Sequence, residues 1–146
     1  MTLTFVRGDI FASRAQTLPN PVNCVGVMGA GLALEFKRRF HTMFQEYVLA
    51  CREGALGPGH PYLWRHPTGP WVLRFPTKAH WKDPASLGAI QEGLSRIAND
   101  AEARGITSLS LPALGCGLGG LAWADVRPLV VRAPSSMSIP IEVYTT

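Results

Sequence analysis

Apolar and polar residues alternate from Leu3 to Arg7 (LTFVR), the period of two expected of a half-buried strand, and Gly8-Asp9 ends the run. A second apolar stretch leads to Val22-Asn23-Cys24 and predicts another short strand. Beyond Met28-Gly29-Ala30-Gly31 the period lengthens. Leu32, Leu34, Phe36 and Phe40 lie among Lys37, Arg38 and Arg39, which predicts a helix that begins at the glycines and continues in pieces to Arg52. Gly54 to Gly59 reads as a turn, and Tyr62 to Arg65 and Trp71 to Phe75 read as two strands of a hairpin around Pro67-Thr68-Gly69-Pro70. Between Pro84 and Arg104 the residues Leu87, Ile90, Leu94, Ile97 and Ala101 recur at helical spacing, and Gly105 stands where a C-cap belongs. Thr107 to Leu111 alternates as a strand, Trp123 to Val131 reads as helical despite Pro128, and Ile139 to Tyr144 forms a closing strand.

Strands that alternate with helices predict an α/β fold, with helices on both faces of a mixed, mostly parallel sheet. The chain has 146 residues and is 47% hydrophobic, enough for one domain over residues 1–146 with its own core. Lys+Arg exceed Asp+Glu by 14 to 10, a mild positive balance that suits an anionic partner and equally suits an ordinary basic surface. The three cysteines, Cys24, Cys51 and Cys116, are scattered and form no Cys-x-x-Cys pair, so a reduced, cytoplasmic setting is expected, with neither a disulfide framework nor a zinc site. No basic and apolar leader opens the sequence and no apolar run approaches the ~18 residues of a membrane span, so no membrane partner is expected. His41, His60, His66 and His80 lack metal-ligand spacing, and no metal or cofactor is expected. The abundance of Pro, and of Arg over Lys, is open to genome composition or adaptation to heat.

Candidate chemistry begins with two glycine loops, Gly29-Ala30-Gly31 and Gly115-Cys116-Gly117-Leu118-Gly119-Gly120, each leading into a helix. Glycine admits close approach of the backbone to a ligand, and successive N–H groups near a helix N-terminus can cradle phosphate. Tight strand-to-helix connections would use the same residues. Neither loop carries the Walker Gly-Lys-Ser/Thr or the full dinucleotide fingerprint, which disfavours an ordinary nucleotidase or dehydrogenase. Gly8-Asp9-Ile10 ends the first strand, where a carboxylate can accept from an adenine amino group or cap the next turn. Among cations that are nearly all Arg, Lys78 and Lys82 stand out, because an amine can attack an anomeric carbon and a guanidinium cannot. The run Lys78-Ala79-His80-Trp81-Lys82 interleaves cations with aromatic rings, a composition that pairs with phosphates and stacks bases, or places a core Trp among solvated charges.

In this order, Gly8-Asp9-Ile10, Asn23-Cys24, Gly29-Ala30-Gly31-Leu32-Ala33 and Pro112-Ala113-Leu114-Gly115-Cys116-Gly117-Leu118, the chain resembles the macrodomain family over essentially its whole length. The resemblance implies a three-layer α/β/α sandwich that binds ADP-ribose. Asp9 would meet the adenine, with Gly8 and Ile10 beside it. The segment Met28, Gly29, Ala30, Gly31, Leu32, Ala33 would surround the distal ribose, and Pro112 to Gly119 would cradle the diphosphate. Within the family, Met28 to Phe40 and Phe75-Pro76-Thr77-Lys78 look like the branch that contains terminal ADP-ribose protein glycohydrolase and the DarG antitoxins. That likeness implies catalysis by Lys78, with Thr77 beside it and Asn23 orienting a hydroxyl or the scissile bond; Asn23 could instead simply close its loop. The protein glycohydrolase uses an aspartate just after its Gly-Cys-Gly-Leu stretch, where this chain has Gly119. The missing acid favours the DarG-like branch, and that resemblance implies release of ADP-ribose from thymidine in single-stranded DNA, with a DarT-like toxin as partner; His80, Trp81 and Lys82 are expected to touch the DNA. Removal of ADP-ribose from protein carboxylates, and binding of ADP-ribose without catalysis, are the alternatives.

Overall fold

The computed structural model describes residues 2–145. Along the chain run β1 (Thr2–Arg7), β2 (Thr17–Val22), α1 (Gly31–Arg39), α2 (His41–Arg52), β3 (Tyr62–Trp64), β4 (Trp71–Pro76), α3 (Leu87–Asp100), β5 (Leu109–Leu111), α4 (Trp123–Arg132) and β6 (Pro140–Thr145), with 3-10 turns at Ile10–Ala12 and Ala133–Ser136. The strands form one sheet in the order β1-β6-β5-β2-β4-β3. All neighbours are parallel except β3 and β4, the expected hairpin, which pair antiparallel from Tyr62 opposite Arg74 to Trp64 opposite Val72.

Strand periodicity sorts the core into two layers. On one face Leu18, Val22 and Val72 pack with Phe36 of α1 and Met43, Tyr47 and Ala50 of α2. On the other, Leu73, Phe75, Leu111, Ile141 and Val143 pack with Ile90, Leu94 and Ile97 of α3 and Val126 and Val130 of α4. The result is the expected three-layer α/β/α sandwich. Arg74 shares the face of Val72, is 1% exposed, and lies with its guanidinium 4.4 Å from the Tyr62 ring.

Helix ends follow local chemistry. Ser86 caps α3 by accepting from the Ala89 N–H at 3.1 Å. Regular α-helix stops at Asp100, short of Arg104, and the chain then turns through Gly105 at φ +81°. The Ile106 N–H reaches the Ala101 carbonyl at 2.9 Å and the Gly105 N–H reaches that of Glu102 at 3.1 Å, the paired bonds of a Schellman stop. Gly54 ends α2 in the same way, with Ala55 N–H on the Ala50 carbonyl and Gly54 N–H on that of Cys51. Phe40 interrupts the long predicted helix, separating α1 from α2. Among the described residues, no helix is long and apolar enough to cross a membrane.

Candidate functional site

Two prolines in a central strand open the site. In a parallel strand alternate residues point their N–H and C=O groups to opposite neighbours. The Thr17 N–H faces β5 and donates to the Ser108 carbonyl, while the Val22 carbonyl faces β4 and accepts from the Thr77 N–H. Pro19 and Pro21 therefore fall on the β5 side, where neither has a donor to give. Pairing of β2 with β5 shrinks to Thr17 opposite Leu109, whereas β2 and β4 pair over six residues. Beyond Thr17 the two strands part, and a cavity of about 610 Å³ opens at their C-terminal ends. The helices that follow β2 cover one face of the sheet and the helix that follows β5 covers the other, so the cavity occupies a topological switch point.

The wall comes from three segments: Pro21 to Asn23 with Val27 and Gly29 to Ala33; Thr77, Lys78 and Trp81; and Pro112, Ala113, Gly115 and Gly117 to Gly119. Backbone hydrogen bonds stitch them together. The Cys24 N–H donates to the Ala79 carbonyl at 2.9 Å, the Ala85 N–H to that of Gly119 at 2.9 Å, and the Ser86 N–H to that of Thr77 at 2.8 Å. The glycine loops also touch, since a Cβ on Gly31 would lie 3.1 Å from Leu118 Cδ1.

Glycine is required at particular positions of the second loop. Gly115 adopts φ +73°, and a Cβ there would lie 2.9 Å from Ile90 Cδ1 and Leu121 Cδ1. A Cβ on Gly119 would sit 2.5 Å from the Gly115 carbonyl oxygen and 2.8 Å from Ala85 Cβ, so the position after Gly-Cys-Gly-Leu has no room for a side chain. Gly117 differs. It lines the cavity and a Cβ there would meet nothing within 4 Å.

Asn23 is 5% exposed, and its amide is engaged by its own loop. Nδ2 donates to the Val27 carbonyl at 2.8 Å, while Oδ1 accepts from the Val25 N–H at 3.1 Å and the Tyr47 hydroxyl at 2.7 Å. The loop-closing role weighed for Asn23 is thus realised beside its place in the wall. Tyr47 comes from α2 and had no signal in the sequence beyond its helical spacing; burial, then the neighbouring Cys51, raises its hydroxyl pKa. Burial pushes the Cys24 thiol up to about 11, with Cys51 adding to the shift, and burial also raises Cys51 and Cys116, so none is poised as a thiolate. Lys78 is half-buried in the wall, and its Nζ donates to the Trp81 carbonyl at 3.5 Å.

Other expected site residues fall elsewhere. Met28 and Leu114 turn inward, at 1% and 0% exposure, and serve the core. Cys116 donates to the Leu114 carbonyl outside the wall. Gly8, Asp9 and Ile10 lie beyond the cavity; Ile10 is buried, and Asp9 caps the 3-10 turn by accepting from the Phe11 N–H at 2.9 Å. They nonetheless share its sheet edge. Four strand spacings separate the end of β1 from that of β4, roughly 19 Å at about 4.8 Å each, so Asp9 stands on the same edge well to one side of Lys78. His80 and Lys82 flank Trp81 outside the wall, and Pro21, Val22 and Val27, which carried no site signal in the sequence, are in it.

These features define an α/β/α ligand-binding domain, with an elongated, glycine-lined cleft at the C-terminal edge of a parallel sheet and a lysine at one end. Residues 20–130 match the Macro domain family model, and the chain belongs to that family. The chain is 40% identical over 97% of its length to a DNA ADP-ribosyl transferase-DNA ADP-ribosyl glycohydrolase fusion protein of Thermosipho africanus, of which it spans 41%. It also resembles the solved Mycobacterium tuberculosis DarG macrodomain, at 37% identity and TM-score 0.94 over 99% of this chain and 98% of that one. Human ADP-ribose glycohydrolase OARD1 is 28% identical over 98% of this chain and 91% of its own. The chain thus spans about two fifths of the bacterial full-length relatives.

Proposed function

We propose that this macrodomain binds ADP-ribose and removes it from thymidine in single-stranded DNA, as the antitoxin to a DarT-like toxin. The observation that carries the reading is Lys78 in the wall of the cleft together with both glycine loops, with Asp9 beyond the cavity on the same sheet edge. A solved Thermosipho africanus relative with TM-score 0.95 is described as DarTG in complex with ADP-ribose, and relatives from Thermus aquaticus and Mycobacterium tuberculosis are named DNA ADP-ribosyl glycohydrolase. Asp9 receives the adenine amino group, the Gly115 to Gly119 loop holds the diphosphate, and the Gly29 to Ala33 loop holds the distal ribose.

Through its nitrogen lone pair the Lys78 amine bonds to the anomeric carbon as the bond from that carbon to the thymine nitrogen breaks. The base leaves with the electron pair and takes up a proton. Water then adds at the same carbon, expels the amine and yields free ADP-ribose. Asn23, already held by its loop, shapes the wall around the ribose and needs no protonation change. Protein carboxylates are the second reading, given the likeness to OARD1, but Gly119 leaves no space for the aspartate of that mechanism.

The test supplies ADP-ribosylated oligonucleotide and ADP-ribosylated protein separately and measures free ADP-ribose. Release from the oligonucleotide is expected. Lys78→Ala and Lys78→Arg should each lower it by at least about a hundredfold while calorimetry still finds ADP-ribose bound, because a guanidinium retains charge but offers no lone pair. Hydrolysis by the Arg variant at the parental rate would reduce Lys78 to a mere cation. Tight binding without release from either substrate would make the domain a reader.

A further inference from the structure

At the mouth of the cleft, beside Lys78, three cavity-lining apolar side chains remain open to solvent: Val27 at 40%, Trp81 at 52% and Leu118 at 72% exposure. Single exposed apolar residues are ordinary, but an indole on the rim of a ligand cavity, carried between cations, has a specific use. The His80 ring lies 5.3 Å from Trp81, tilted 34°, and Lys82 Nζ is 5.2 Å from the Trp81 ring centroid. The loop is held in shape. The His80 N–H donates to Asp83 Oδ2, the Asp83 N–H to the His80 carbonyl, and the Lys82 N–H to His80 Nδ1 at 3.1 Å, while the Trp81 carbonyl accepts from Lys78. A platform already fixed loses little freedom when a planar ligand lands on it.

Building on the glycohydrolase reading, we infer that Trp81 stacks the nucleobase adjacent to the modified thymidine, with Lys82 pairing the intervening phosphate. The base that leaves must project from the Lys78 end of the cleft, since the ribose anomeric carbon faces the amine. Its strand then passes Trp81, the residue whose carbonyl Lys78 touches. An aromatic face accepts any base, and the Lys82 ammonium, which lies over the ring until a base arrives, turns to the phosphate, so the platform selects single-stranded DNA over an isolated nucleoside without reading sequence.

The experiment compares kcat/KM for an ADP-ribosylated oligonucleotide with that for ADP-ribosylated thymidine, alongside quenching of tryptophan fluorescence by unmodified oligothymidylate. The unmodified protein should prefer the oligonucleotide. In Trp81→Ala that preference should fall by roughly 5- to 140-fold, the range of one base stacked on one ring, and Trp81→Phe should recover much of it. Quenching should saturate in the parent and vanish in Trp81→Ala, and Lys82→Gln should lower the salt slope of binding by about 0.7. A parent with no oligonucleotide preference, or a Trp81→Ala preference within twofold of the parent, overturns the platform. Saturable quenching that Trp81→Ala abolishes, without hydrolysis of either DNA substrate, leaves the platform standing and removes the glycohydrolase reading instead.

Discussion

The two glycine loops do similar work by different means. The first, ahead of α1, is held by side chains: Asn23 bridges to Val25 and Val27, and Tyr47 reaches from α2 to both the Asn23 carbonyl and its amide oxygen. The second is held by its own backbone and by lack of space, with the Leu121 N–H on the Gly115 carbonyl at 2.9 Å, the Gly120 N–H on that of Gly117 at 3.1 Å, and no room for a Cβ at 115 or 119. A loop clamped by side chains weakens gradually as clamps are removed. One defined by sterics fails when atoms are added.

Gly119→Asp should produce the largest effect on stability. The added Cβ would overlap the Gly115 carbonyl, so the loop must move, at a cost of about 1–3 kcal/mol or more. Thermal unfolding should show a Tm lower by several degrees, and ADP-ribose binding should fall with it. An unchanged Tm would show that the second loop yields as readily as the first.

Tyr47→Phe tests the clamp on the first loop. Loss of one buried hydroxyl donor should cost about 0.5–1.5 kcal/mol in denaturant unfolding, since Asn23 Oδ1 retains the Val25 N–H. Hydrogen exchange at residues 23–27 should accelerate. Equal exchange in parent and variant would show that the loop does not depend on α2.

Gly117→Val should change stability least, by less than about 0.5 kcal/mol, because its backbone needs no positive φ and its Cβ points into open space. That space is the cleft. Binding should therefore drop sharply in calorimetry while Tm holds, whereas Gly119→Asp lowers both; a fall in Tm as large as that of Gly119→Asp would erase the distinction between the two glycines.

Local patterns in the sequence carried most of the elements, because each owes its existence to neighbours in the chain. The alternation before Gly8, the helical spacing from Leu87 to Ile97 and the Gly105 stop all reappear, and even Pro128 is accommodated within α4. The glycine loops and Lys78 were singled out from the sequence, and the cavity wall contains them. Less legible was what depends on partners distant in sequence. Tyr47 is 24 residues from the Asn23 it secures, and nothing in α2 signals that partnership. Likewise, Gly115, Gly117 and Gly119 look alike in sequence, and it takes the folded loop itself, with Leu121 and the Gly115 carbonyl, and the distant Ile90 and Ala85 to separate the two that are sterically required from the one that faces ligand space. The many prolines offered no reading beyond composition, yet Pro19 and Pro21 owe their effect to lying between β4 and β5, an order that periodicity does not encode.

The parallel pairing of the first and last strands has a practical consequence for handling the protein. Thr2 lies opposite Pro140 and Arg7 opposite Thr145, so β1 starts at the edge of the sheet remote from the cleft and β6 finishes at the edge that bears it. A purification tag or surface anchor joined ahead of Thr2 leaves the binding mouth facing solution. Joined after Thr145, the same attachment shares that edge and competes with an incoming ligand for access.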